Sequence, residues 1–60
     1  MNQTPLRASI LPLAVKGKEV SSIAILHGKR LVASAQLGGR YDEAQALNEY
    51  RRNPQLFRRK

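Results

Sequence analysis

A glycine recurs every eleven residues up to position 40, in Val15-Lys16-Gly17-Lys18, Leu26-His27-Gly28-Lys29 and Leu37-Gly38-Gly39-Arg40. Each is preceded two positions earlier by an apolar residue and followed by a base. Glycine accepts the positive φ that a primed two-residue hairpin loop demands, and eleven residues suit one strand of about eight plus such a loop. The spacing therefore predicts a three-stranded antiparallel meander with strands near 9–15, 18–26 and 29–37. Pro12 cannot donate to a ladder, which places the first of these at a sheet edge.

Loops at Lys16-Gly17 and His27-Gly28 would pair Leu13 with Val20 and Ala24 with Leu31. Alternation along each strand then assigns the faces. One gathers Leu11, Leu13, Val15, Val20, Ser22, Ala24, Leu26, Leu31, Ala33, Ala35 and Leu37, with Lys29 at its margin, and reads as the core face. The other gathers Ile10, Pro12, Ala14, Glu19, Ser21, Ile23, Ile25, Arg30, Val32, Ser34 and Gln36, a half-polar surface.

The period changes beyond Gly39. Asp42 followed by Gln45 is a capping-box pattern, and Ala44, Leu47 and Tyr50 recur at helical spacing until Asn53-Pro54 stops the run. The expected fold is α+β, in the order β-β-β-α. Its parts are an arm over residues 1–8, the meander over 9–37, a helix within 42–53 and a basic tail over 54–60, all in a single domain.

Sixty residues make a thin core, with a stability margin of about 3–5 kcal/mol unless something staples it. There is no Cys to form disulfides or thiolate metal sites, and the lone His27 cannot build an imidazole cluster. No cofactor or metal is expected. The carboxylates are too few and too scattered for a general acid–base pair, and Gly38-Gly39-Arg40 lacks the pattern of a phosphate loop. An enzyme is therefore not expected. The apolar run Ala8–Val15 is too short to span a membrane, so the expected location is the cytoplasm, without membrane association.

Eleven Lys and Arg against four Asp and Glu give a net charge of +7, which calls for an anionic partner. In a β-β-β-α unit the helix returns along the strands, so Arg51 and Arg52 should arrive near Arg7, Lys29 and Arg30 at the His27 end. Arg58, Arg59 and Lys60 would join them, with Glu19, Asp42 and Glu43 at the opposite end. These eight bases are the candidate nucleic-acid contacts.

The aromatics Tyr41, Tyr50 and Phe57 fall in the helix and tail, leaving the sheet without a platform for stacking single-stranded bases. Duplex DNA suits it better, with Arg30, Ser21, Ser34 and Gln36 as candidate base contacts in a major groove. A three-stranded sheet backed by one helix is similar in layout to the AP2-type and integrase arm-binding domains, which implies the same use of the free face. The Ile10, Ile23, Val32 row, with Ile25 adjacent, would be an exposed apolar patch and hence a protein interface. The outer edge of the third strand also looks open to a partner.

Two functions follow. The first is a small DNA-binding transcription regulator of the phage or plasmid kind, homodimeric through the apolar row or the free strand edge. The alternative is an inhibitor or adaptor that docks on an acidic face of a larger protein through the outer sheet face or free strand edge.

Overall fold

The computed structural model describes residues 5–59, so the candidate contact Lys60 lies outside the described residues, as does the arm up to residue 4. The chain forms β1 (Leu6–Val15), β2 (Lys18–His27), β3 (Arg30–Gly38), α1 (Glu43–Arg52), a 3-10 turn (Pro54–Leu56) and a two-residue β4 (Arg58–Arg59). The sheet is antiparallel in the order β1-β2-β3-β4, with α1 packed on one face. The expected β-β-β-α unit is thus present, extended by a fourth strand that the basic tail supplies.

The first hairpin follows its turn residues. Lys16 and Gly17 both take positive φ, 53° and 76°, as a primed loop requires, and Leu13 pairs with Val20. The second turn differs from expectation. Gly28 (φ 66°) is the first residue of the loop rather than the second, so His27 pairs with Arg30 and Leu26 with Leu31. A bulge follows: Ile25 pairs with Ala33, leaving Val32 as an extra residue on β3.

That bulge reverses the expected faces of β1 and β2 while leaving those of β3 beyond Val32 as expected. Moving the loop by one residue shifts the register by two, which keeps every side chain on its side. One inserted residue exchanges the sides of the two strands relative to each other. Ile23 now lies opposite Ala35 and Ile25 opposite Ala33, and across β1 Ile10 lies opposite Ile23 and Ala8 opposite Ile25. On β1 and β2 the core side is the one expected to be open, whereas on β3 Ala33, Ala35 and Leu37 face inward as expected: Ile23 and Ile25 are 1% and 0% exposed, clustered with Ala33, Ala46 and Phe57. Ile10 and Val32 pack against the same cluster, so the four residues assigned to an exposed interface patch are core and core-edge instead.

The helix forms where its cap predicts. Gln45 N–H donates to Asp42 Oδ1 at 2.7 Å and Asp42 N–H to Gln45 Oε1 at 3.1 Å, closing the capping box. Ala46 is its one buried residue, flanked by half-buried Leu47 and Tyr50, while Ala44, expected in the apolar stripe, is exposed. Tyr50 meets Phe57 edge-on at 5.2 Å between centroids, which fixes the chain after α1 and delivers β4 to the outer side of β3.

Candidate nucleic-acid interface

The bases are not gathered at one pole. Glu43, at the start of α1, lies beside Arg7 rather than at the far end of the sheet: Arg7 Nε donates to Glu43 Oε2 at 2.6 Å, and Ala8 N–H donates to the same oxygen at 3.1 Å. The helix therefore begins at the β1 edge. The hydrogen bond from Arg7, reinforced by the Ala8 amide, holds the Glu43 carboxyl below its ordinary pKa, and the carboxylate in turn raises that of Arg7. Arg58 and Arg59 pair with Ser34 and Ala33 at mid-strand, not at the His27 turn. Arg51 and Arg52 close α1 on the helix side of the sheet.

With the core face identified, the opposite face is the open one. Cross-strand partners share a face, so its rows can be traced from β1 outward. Arg7, Leu26 and Leu31 form one row; Ser9, Ala24, Ser34 and Arg58 the next; then Leu11, Ser22 and Gln36; then Leu13, Val20 and Gly38. Val15 and Lys18 complete it at the first turn. A polar band crosses the middle of the sheet between two apolar rows. Ser22, Ser34, Gln36 and Arg58 line one cleft of about 530 Å³, bordered by Leu56 and Ala35.

Two candidate base contacts, Ser34 and Gln36, lie on this open face, and two do not. Ser21 is buried beneath the helix layer, its hydroxyl donating to the Gly39 carbonyl at 2.7 Å, where it anchors the end of β3. Arg30, opposite His27, falls on the helix side of the alternation at the second turn. The structure adds Ser9, Ser22 and Lys18 to the face and puts Lys16 and Lys29 in the turns at its two ends. Sequence reasoning missed Ser9 and Ser22, because Ser22 had been placed in the core. The signal that finds them is Ser9 and Ser22 in phase with Leu11 and Leu13, once Ile23 and Ile25 are put inside.

The acids are disposed in the opposite way. Glu19, adjacent in the alternation to buried Ser21, receives Arg40 Nε at 3.0 Å on each of its oxygens. Asp42 caps α1, Glu43 holds Arg7 and Ala8, and Glu49 accepts from Asn53 Nδ2 at 2.6 Å. All four carboxylates are therefore on the helix side or at the β1 edge and occupied within the molecule. The open face carries Lys18 and Arg58 in addition to Arg7, and no carboxylate among the described residues.

Both sheet edges are blunted. Ala8 N–H points out of the sheet, to Glu43, so the period of two turns Ile10, Pro12 and Ala14 outward as well. Glu43 covers the first of these positions, and Pro12 has no N–H to offer a new strand. On the other side β4 occupies Ala33 and Ser34, so the expected bare edge of β3 is partly paired. Among the described residues, no helix is long and apolar enough to cross a membrane. No protein-family model, curated protein or solved structure matches the chain.

Proposed function

We propose that the protein is a small duplex-DNA-binding regulator, with no enzymatic activity of its own, that lays its open sheet face in the major groove. The cytoplasmic location expected from the sequence is part of this proposal. The observation that carries it is the segregation of charge: a sheet face with cations on it and at both ends, a polar band across it, and no carboxylate among the described residues. Phosphates are attracted to such a face, and the hydroxyl, amide and guanidinium groups of the band match the donors and acceptors of base edges. Lys16, Lys18 and Lys29 serve as the backbone contacts, while Arg30 lies on the helix side and is not among them. Arg7 contributes less than its charge suggests, since Glu43 neutralises it.

The test is a salt titration of binding to duplex DNA. Three or four phosphate contacts predict a slope of log K against log salt of about −2.7 to −3.6. Binding that is absent at low salt, or insensitive to salt, overturns the proposal.

One observation favours a second reading. Leu11 and Val15 are 60% and 44% exposed and lie on the same face near the first turn, where they suit contact with another protein, either a second copy or an acidic partner. Leu11→Asp would abolish that association and leave the fold intact. If the variant behaves as the wild type in sedimentation and pull-down, this reading falls.

A further inference from the structure

We infer that Arg58 is the specificity-determining residue of the open face, reading a guanine in the major groove together with Gln36, Ser22 and Ser34. The inference rests on the duplex-DNA reading above and deepens it. Arg58 does not belong to a loose basic tail. Its backbone is paired to Ser34 in β4, and the residue before it, Phe57, is buried in the core at 5% exposure with its ring against Tyr50. Alternation then sends Phe57 to the helix side and Arg58 to the open side. The guanidinium is thus presented from a strand, with its origin fixed, which is the condition for a geometric rather than a merely electrostatic contact.

The surroundings point the same way. Arg58, Gln36, Ser34 and Ser22 line a single cleft that extends from β4 across β3 to β2. Three strands spaced by about 4.8 Å place their outer axes about 10 Å apart, inside the about 12 Å of the major groove. Among the described residues the cleft contains no carboxylate to neutralise the guanidinium, and Arg58 is in neither ion pair. A forked donor beside an amide and two hydroxyls is the set that recognises guanine O6 and N7 with an adjoining base edge. The cations in the two turns lie outside this cleft and supply affinity without sequence information.

The experiment uses the full chain and a pool of random-sequence DNA duplexes. Wild-type protein is expected to enrich a sequence containing one required G·C pair, whose replacement by A·T weakens binding about 5- to 150-fold. Arg58→Lys keeps the charge and loses the fork, so it should bind the enriched and replaced duplexes within about twofold of each other, with an unchanged salt slope. Gln36→Ala should relax preference at a neighbouring base pair only. If Arg58→Lys retains the wild-type preference, or wild type enriches nothing, the inference is overturned while the DNA-binding function stands. If Arg58→Ala weakens all duplexes equally and reduces the slope by about 0.9, Arg58 is a phosphate contact and the inference is likewise overturned. Absence of duplex binding by the wild type, or equal binding to double-stranded RNA with its inaccessible major groove, overturns the function and this inference with it.

Discussion

Two isoleucines decide which side of the sheet is the inside. Ile23 and Ile25 are the largest fully buried side chains, so truncating either leaves a cavity that neighbouring Ala33 and Ala46 are too small to fill. Ile25→Ala is expected to cost about 2–5 kcal/mol. Against a total of about 3–5 kcal/mol that suffices to unfold much of the population. Far-UV circular dichroism and a urea titration read the loss. Leu11→Ala, at an exposed position of similar chemistry, should stay within about 0.5 kcal/mol of wild type, and equal losses at the two sites would contradict the face assignment. Glu43 adds a pH dependence of definite sign. Its carboxyl binds protons less readily folded than unfolded, so its contribution is present above the unfolded carboxylate pKa and fades as pH falls through the lower folded value. Glu43→Gln should flatten the acid limb of the stability curve and leave its alkaline limb unchanged.

At the scale of elements, the bulge at Val32 and the short β4 are what turn the sequence pattern into this particular surface. The meander, the first turn and the capped helix were legible because each rests on local chemistry: positive φ at Gly17, and reciprocal hydrogen bonds between Asp42 and Gln45. The faces of β1 and β2 were not, because a bulge has no residue signature here. Val32 is an ordinary β-branched strand residue, and its displacement satisfies the demand that Ile23 and Ile25 share a side with Ala33, Ala35 and Leu37. β4 was hidden for a related reason. Two arginines show no strand periodicity, and they pair with β3 because Phe57 is buried just before them. Deleting Val32 should therefore be far more damaging than Val32→Ala, since it would turn one half of the sheet over. Phe57→Ala should release β4, and amide exchange at Ser34, whose N–H faces β4, should quicken more than exchange in the β1–β2 hairpin. Uniform acceleration across the sheet would mean that Phe57 supports the whole fold rather than β4 alone.

Taken as a whole molecule, the protein has two unlike sides. One is a helix layer in which every carboxylate is engaged, and the other is a sheet face without a carboxylate among the described residues. Net charge of +7 alone predicts only that polyanions bind, from any direction. The arrangement predicts direction. Lys16 and Lys18 adjoin the open face, whereas Arg51 and Arg52 end α1 on the opposite side, so equal changes in net charge at these two pairs should have unequal effects. Lys16→Gln with Lys18→Gln is expected to reduce the salt slope for duplex DNA by about 1.8, through loss of two phosphate contacts. Arg51→Gln with Arg52→Gln should reduce affinity slightly through the long-range field while leaving the slope within about 0.5 of wild type. Comparable slopes for both doubles would mean that phosphate reaches the helix side, and a larger loss from the arginine pair would move the DNA to that side altogether.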